Sequence, residues 1–281
     1  MYTGKRIISF VSFLIIISLY SCSTTDDTSD NGIDLRRNSD FVPTILSVAH
    51  RGYRPSGVPE NSAKAYHHAA RYGFQFGETD IQWTKDDIPV CCHLKYFFDN
   101  RTGDSIFTER YTLARLKQFN YYGYSISTLE EVMDTCKANG MGLYLDRFDY
   151  FEGIRKERIY DLIDRFGKEN VTYLFDTFNE KGIRQVLEYD PNATIALVYF
   201  SRLHPKLFNF AHSISTSTNK IILDIDVSQN PLDSVIHYLP QLKDNEKFGI
   251  WTINSKKDFK SYMPYVESIT SDKISEIMLY K

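Results

Sequence analysis

The sequence has few cysteines and almost no charge imbalance, and both absences exclude broad classes of protein. Only four cysteines occur in 281 residues; Cys22 ends an apolar leader, so an odd number remains, and no disulfide framework follows. Lysine and arginine (33) nearly balance aspartate and glutamate (36), for a net charge of −3. This balance provides no electrostatic basis for binding nucleic acid. The sequence shows no internal repeat, and no linker midway along it indicates a second domain.

A long apolar run stands at the N-terminus. Lys5 and Arg6 precede the uncharged segment Ile7–Tyr20, and Cys22 follows it after one serine, Ser21. This pattern predicts a signal peptide over residues 1–22. A cysteine at the cleavage point resembles the lipobox of bacterial lipoproteins, so Cys22 is expected to become the acylated first residue. An ordinary signal peptide and a short membrane anchor are the alternatives.

Residues 23–43 are polar and rich in Ser, Thr, Asp and Asn. Such a segment buries little apolar surface, so it is predicted to be a flexible tether ahead of a folded domain over residues 44–281. Together with the leader, it predicts a lipoprotein of the bacterial cell envelope. A lipid anchor would hold the protein at the membrane, in the outer membrane or facing the periplasm.

Apolar strands and helical stretches alternate along residues 44–281. Eight strands are predicted: Ile45–Ala49, Phe76–Trp83, Met141–Arg147, Val171–Phe175, Thr194–Phe200, Lys220–Ile225, Phe248–Ile253 and Val266–Thr270. Seven helices are predicted: Ala63–Tyr72, Thr128–Asn139, Arg155–Phe166, Glu180–Tyr189, Lys206–Ser213, Leu232–Gln241 and Lys256–Tyr262. Alternation favours an α/β fold with a parallel sheet, and eight units favour a closed (β/α)8 barrel, the TIM barrel.

One further strand, Ile88–His93, departs from this alternation. It follows Phe76–Trp83 across only four residues, 84–87. Since a parallel crossover needs a dozen or more residues, the two strands are predicted to form an antiparallel hairpin outside the barrel. The hairpin would carry His93 back towards the carboxyl ends of the barrel strands, where active sites of such barrels lie.

Chemistry-bearing side chains follow or end several of these strands. Glu78 and Asp80 are two positions apart on one strand, so they share a face and could hold one hard cation. His50 and His93 suit proton transfer near neutral pH. Asp146 stands at the end of another strand. Together these groups indicate metal-assisted attack on an anionic ester.

Nine short motifs stand in order between Ser47 and Lys273. They are His50-Arg51-Gly52, Pro59-Glu60-Asn61, Glu78-Thr79-Asp80, Thr84-Lys85-Asp86, Val90-Cys91-Cys92-His93, Arg101-Thr102, Ser127–Val132, Trp251-Thr252-Ile253-Asn254 and Ile269–Asp272. The series resembles the glycerophosphodiester phosphodiesterase family. The resemblance implies a TIM barrel of the PLC-like phosphodiesterase type, with the hairpin as an insertion after the second strand.

The resemblance also implies roles for single residues. His50 and His93 would be the acid–base pair, Arg51 would contact the substrate phosphate, and Trp251 would line the pocket. Asn61 precedes a Ser-Ala pair at the start of the first predicted helix, and its simplest interpretation is a helix cap.

Three carboxylates are expected to bind metal. By the resemblance, Glu78, Asp80 and Asp146 would hold a divalent cation, Ca²⁺ or Mg²⁺. The family has a glutamate where this chain has Asp146, whose reach is shorter, and Asp149 is the alternative ligand. Metal-assisted cleavage of a phosphodiester follows from this set.

Two positions depart from the family pattern. Leu94 replaces the aspartate that usually follows the second histidine, and Asp99 is the nearest carboxylate downstream. Phe148 replaces a lysine. Arg147 is one residue away and, as a strand residue, is expected to point to the other face; Arg54 could supply the charge instead.

The predicted activity is hydrolysis of small-molecule glycerophosphodiesters to glycerol phosphate and an alcohol. One alternative is a phospholipase acting on intact lipid head groups, in the manner of sphingomyelinase D or phosphatidylinositol-specific phospholipase C. Another is a catalytically weak relative that binds phosphate esters, to which the departures at Leu94 and Phe148 point.

Overall fold

The computed structural model describes residues 45–275, in which strands and helices alternate. The strands are β1 (Leu46–Ala49), β2 (Phe76–Trp83), β3 (Pro89–Cys91), β4 (Tyr96–Phe98), β5 (Ser105–Phe107), β6 (Gly142–Asp146), β7 (Val171–Asp176), β8 (Thr194–Tyr199), β9 (Lys220–Asp226), β10 (Glu246–Trp251) and β11 (Ser268–Ser271). The α-helices are α1 (Ala63–Arg71), α2 (Leu113–Leu116), α3 (Leu129–Ala138), α4 (Gly153–Phe166), α5 (Glu180–Tyr189), α6 (Pro205–Ile214), α7 (Leu232–Tyr238) and α8 (Lys256–Tyr262). Short 3₁₀ turns occupy Thr108–Arg110, Lys168–Asn170, Leu239–Gln241 and Met263–Tyr265.

Eight parallel strands close into a barrel. Their order is β1-β11-β10-β9-β8-β7-β6-β2, and β1 pairs with β2 to complete the ring. The predicted TIM barrel is therefore confirmed. All eight predicted barrel strands are present, with ends that differ by no more than two residues. Strand ends are set by the last ladder hydrogen bond, which side-chain pattern alone does not reveal.

The extra hairpin is also present. Among the strands of residues 45–275, β3 pairs with β2 only, in antiparallel orientation, so it stands outside the barrel as predicted. A second hairpin, β4–β5, and the single-turn helix α2 follow it and were not predicted, because each is too short to show a period. Two adjacent cysteines of the hairpin pack into different hydrophobic clusters. Cys91 packs into the main core, whereas Cys92 packs with Phe97 and Ile106 under the insertion.

Helices cover the barrel because their apolar faces pack against outward-pointing strand residues. α3 begins with a capping box, in which Thr128 Oγ1 accepts from Glu131 N and Glu131 accepts from Thr128 N. Its buried face, which includes Leu129 and Val132, joins the main core. Within residues 45–275, no helix combines the length and apolar content that crossing a bilayer requires. The predicted signal peptide (1–22), Cys22 and the tether (23–43) lie outside the described residues.

Inside the barrel, a carboxyl group lies among apolar side chains. Asp224 is two positions beyond Ile222, so it shares that residue's inward face. The side chain is only 3% exposed, and its Oδ1 has no hydrogen-bond partner within residues 45–275. Burial, with a contribution from the charge of Asp146, raises the pKa of Asp224 to about 7. The folded state therefore favours the protonated form of this group.

Asp224→Asn is expected to remove a pH-dependent loss of stability. The folded pKa of about 7 exceeds the ordinary value of 3.8, so the wild-type protein loses stability as pH rises from about 4 to 7. The variant should match the wild type at pH 4 and exceed it above pH 7 by a few kcal/mol, since one pKa unit corresponds to about 1.4 kcal/mol. Urea unfolding in EDTA measures this difference, with Asp226→Asn, at the half-buried end of the same strand, as the control. Equal pH slopes for Asp224→Asn and the wild type would contradict it.

Candidate active site

The carboxyl ends of the barrel strands gather the candidate residues at one mouth. His50 follows β1 directly, and Asp146 ends β6. Within β2, Glu78 and Asp80 share the inward face, and Asp80 is the register partner of Asp146 on the neighbouring strand. The pairing of β2 with β6 therefore brings together side chains that are far apart in the sequence.

Three carboxylates, two buried and one half-buried, form a cluster. Glu78, Asp80 and Asp146 each offer an oxygen, and these atoms all lie within 4.8 Å of one another. Glu78 is 5% exposed and Asp80 only 1%. Burial, followed by the charges of Asp80 and Asp146, raises the pKa of Glu78 well above its usual range, and burial and Asp80 raise that of Asp146 to about 6. Clustered buried oxygens fit a hard divalent cation, which would offset this repulsion.

Asn61 belongs to this cluster rather than to the helix, so its interpretation as a cap was wrong. Ser62 caps α1 instead, and its Oγ accepts from Ala65 N at 3.2 Å. Asn61 has a φ of 56°, which turns its side chain away from the helix. Its Nδ2 donates to Asp80 Oδ2 at 2.8 Å, and its Oδ1 accepts from Asp80 N at 3.1 Å. The amide thus fixes the orientation of the Asp80 carboxylate.

Arg51 lies between acidic groups. Its backbone N donates to Glu78 Oε2 at 2.9 Å, and its Nη1 contacts both Glu60 oxygens at 3.3 and 3.4 Å. Its Nε is 3.4 Å from Asp80 Oδ2, an ion-pair distance without hydrogen-bond geometry. Burial lowers the pKa of Arg51, but the charges of Asp80, Glu60 and Glu78 raise it overall. A fixed positive charge therefore stands at the rim of the carboxylate cluster.

His50 is oriented by a partner 222 residues away. Its Nδ1 lies 2.8 Å from Asp272 Oδ1, and Asn254 Nδ2 donates to Asp272 Oδ2 at 2.8 Å. Burial alone would raise the pKa of Asp272, but hydrogen bonds from His50 and Asn254 and the charge of Arg54 hold it well below its usual range. An ionised Asp272 makes His50 Nδ1 the donor, which leaves Nε2 for a reactant. Asp272 ends the Ile269–Asp272 motif, but nothing local in the sequence indicates that it pairs with His50.

His93 is carried to the cluster by the hairpin. The preceding residue, Cys92, donates its backbone N–H to Asp80 O at 3.0 Å. The ring is partly buried, and this burial lowers the pKa of His93. Within residues 45–275 no hydrogen bond fixes the ring, and Asp99 is held in its own loop by Arg101. His93 therefore stands beside the carboxylates without the orienting acid that His50 has.

Arg147 points into the site, which contradicts the expectation from strand alternation. β6 ends at Asp146, and Arg147 adopts a left-handed φ of 59°, so the two-residue period no longer applies. Its Nε donates to Asp80 Oδ1 at 3.2 Å. Phe148 is buried against Phe151 and other aromatic rings of the core. The charge missing at position 148 is thus supplied one residue earlier.

A cavity of about 200 Å³ adjoins the cluster. Asp146, Arg147 and Asp149 line it, together with the exposed ring of Phe200. Asp149, the alternative ligand, accepts from the side chain of Asn179 and is not one of the three clustered carboxylates. The cavity therefore lies beside Asp146, one of the three clustered carboxylates.

Trp251 ends β10 near this opening. Its Nε1 donates to Asp224 O at 3.1 Å, and its ring centroid is 5.2 Å from that of Phe200. The indole is half-buried, with one edge held by the barrel and the other against an exposed ring. Its predicted place at the pocket wall stays a prediction.

Comparison with known proteins points to one family. A family model described as the glycerophosphoryl diester phosphodiesterase family matches residues 50–146. An uncharacterized protein of Mycoplasma genitalium is 27% identical over 244 residues, which cover 78% of this chain and 90% of that protein. A glycerophosphodiester phosphodiesterase of Bacillus subtilis is 28% identical over 172 residues, which cover 53% of this chain and 57% of that protein.

A solved structure has the same fold. An Oleispira antarctica phosphodiesterase, in complex with the product sn-glycerol-3-phosphate, aligns with a TM-score of 0.64 and 22% identity. The alignment covers 84% of this chain and 95% of that chain. At this identity the likeness extends to the barrel architecture.

Proposed function

This chain belongs to the glycerophosphodiester phosphodiesterase family, and from that premise we propose that it hydrolyses glycerophosphodiesters to glycerol phosphate and an alcohol. The observation that carries the proposal is the meeting of three carboxylates, Arg51 and two histidines at the mouth of one barrel. Each group suits one demand of phosphodiester cleavage, namely charge neutralisation, proton removal and proton supply.

In this proposal, Glu78, Asp80 and Asp146 hold a divalent cation, Ca²⁺ or Mg²⁺. A bound cation neutralises phosphate charge and so eases attack on the anionic ester. Arg51 presents guanidinium N–H groups that match phosphate oxygens. Asn61 keeps Asp80 in the orientation that directs its carboxylate towards its neighbours.

The two histidines move the protons. His50 Nε2 takes the proton from the attacking hydroxyl, which belongs to water or to a neighbouring hydroxyl of the substrate. Attack by water gives glycerol phosphate directly, whereas attack by the substrate hydroxyl gives a cyclic phosphate that water opens to glycerol phosphate in a second step. Asp272 stabilises the imidazolium that forms. As the phosphorus–oxygen bond breaks, His93 gives its proton to the departing alcohol oxygen. Burial lowers the pKa of His93, so its protonated form donates readily.

A substrate screen tests the proposal. The purified protein is expected to release glycerol phosphate from glycerophosphocholine or glycerophosphoethanolamine when Ca²⁺ or Mg²⁺ is present, and EDTA should abolish this release. Phospholipid vesicles form a second arm, since turnover of intact lipid alone would favour the phospholipase alternative. Thermal stabilisation by these diesters without product release would instead indicate a binding protein and contradict the proposed hydrolysis.

We propose in addition that Cys22 carries a lipid that holds the protein at the bacterial envelope. The proposal rests on the charged start, the apolar run and the cysteine at its end. Cys22→Ala is expected to take up no labelled fatty acid and to leave the membrane fraction. Cys136→Ala, a buried core cysteine, is the control for loss of a thiol. Equal labelling of the Cys22→Ala protein and the wild type would contradict the proposal.

A further inference from the structure

Two arginines and one amide converge on Asp80. Its Oδ2 accepts from Asn61 Nδ2 at 2.8 Å and lies 3.4 Å from Arg51 Nε. Its Oδ1 accepts from Arg147 Nε at 3.2 Å. Because only 1% of the side chain is exposed, water contributes little here. Both carboxylate oxygens are therefore engaged by protein donors.

The two arginines differ in how firmly they are held. Arg51 is 18% exposed and also contacts Glu60 through its guanidinium. Arg147 is 41% exposed, and within residues 45–275 the bond to Asp80 is the only hydrogen bond of its side chain. Arg147 can therefore leave Asp80 without breaking another side-chain hydrogen bond.

Arg147 and a divalent cation would compete for one oxygen. A cation shared by the three clustered carboxylates needs a lone pair from Asp80. Since Oδ2 already faces Asn61 and Arg51, Oδ1 is the oxygen with the weaker competition. A cation and a guanidinium held at the same oxygen repel each other strongly in a site of low dielectric.

We infer that Arg147 exchanges with the cation at Asp80 Oδ1 and, once released, binds the phosphate of the substrate from the adjoining cavity. The inference rests on the proposed function, because it assumes a phosphate ester at this mouth. Arg147 already lines that cavity, so a change of side-chain rotamer is enough to bring its planar fork to phosphate oxygens. Phe148 cannot provide this charge.

Cation titration tests the first half of the inference. Arg147→Gln is expected to tighten Ca²⁺ binding, measured by calorimetry, by about fivefold or more, because the competing charge is gone. Glutamine adopts the left-handed backbone no less readily than arginine, so the variant adds no strain. Arg155→Gln is the matched control: Arg155 is 42% exposed and also holds an aspartate through Nε. The control should bind Ca²⁺ as the wild type does.

Phosphate titration tests the second half. With saturating Ca²⁺, Arg147→Gln should bind inorganic phosphate about tenfold more weakly than the wild type, and Arg147→Lys should fall between them. In EDTA the two proteins should differ little, because Arg147 is then held by Asp80. Arg155→Gln should again match the wild type.

Any of three results overturns the inference: unchanged or weaker Ca²⁺ binding by Arg147→Gln, unchanged phosphate binding by that variant, or no Ca²⁺ binding by the wild type. The turnover screen decides the proposed function separately. A wild type that shows the Arg147 pattern without cleaving any diester keeps the inference and rejects the hydrolase. If the wild type cleaves diesters but Arg147→Gln binds Ca²⁺ and phosphate as Arg155→Gln does, the hydrolase is kept and the inference about Arg147 is rejected.

Discussion

His50→Ala and His93→Ala are each expected to lower turnover by about 10²–10⁴-fold while the protein remains folded, since removal of a general acid or base has an effect of this size. Neither ring is part of the apolar core, so melting temperatures should change little. Steady-state assays of a glycerophosphodiester in saturating Ca²⁺ measure the loss. The fall should appear in kcat, because the histidines act on protons rather than on substrate binding.

Of the two histidines, His50 has an orienting carboxylate, Asp272, whose effect can be tested separately. Asp272→Asn should reduce turnover less than His50→Ala does, because it removes the orientation of His50 but keeps the imidazole. His67→Ala, an exposed histidine on α1, is the control for loss of an imidazole. Wild-type kcat in either His50→Ala or His93→Ala would reject the acid–base assignment.

Glu78→Gln is expected to abolish the stabilisation that Ca²⁺ provides and to lower turnover by about 10²–10⁴-fold, because the cation's contribution is worth several kcal/mol. The same variant should be at least as stable as the wild type in EDTA at pH 7. Burial and like charges raise the pKa of Glu78, so the folded wild type is penalised as pH rises above the ordinary value of 4.5. Melting temperatures with EDTA and with Ca²⁺ measure both effects.

Asp176→Asn provides the matched control for this experiment. Asp176 lines the same cavity but is not among the three clustered carboxylates. The control should keep both the Ca²⁺ shift and most of the turnover. A Glu78→Gln protein that still gains stability from Ca²⁺ would contradict the proposed cation site, whatever its activity.

The departures from the family pattern have different structural outcomes. Phe148 became a core residue, while Arg147 took up the missing charge through a left-handed turn. Leu94 is largely exposed, and no side chain within residues 45–275 orients His93 in its place. His93 is thus the less restrained of the two histidines, whereas His50 is fixed by Asp272.

The barrel could be predicted from the sequence because strand and helix periods are local. Alternation over a few residues reveals which face of β2 carries Glu78 and Asp80, and four intervening residues are enough to require the antiparallel hairpin. The β4–β5 hairpin could not be predicted in this way, since strands of three residues carry no measurable period.

The residues around the site needed the tertiary structure. Asn61 and Arg147 have positive φ values, which break the periodic relation between position and direction. Asp272, the partner of His50, is 222 residues away in the sequence. The two side chains meet only because β1 and β11 pair when the barrel closes. The sequence by itself therefore determined the barrel and the strand faces, because these depend on local repeats. Only the folded structure decided which polar groups hold Asp80 and His50, because those contacts depend on ring closure and on single backbone angles.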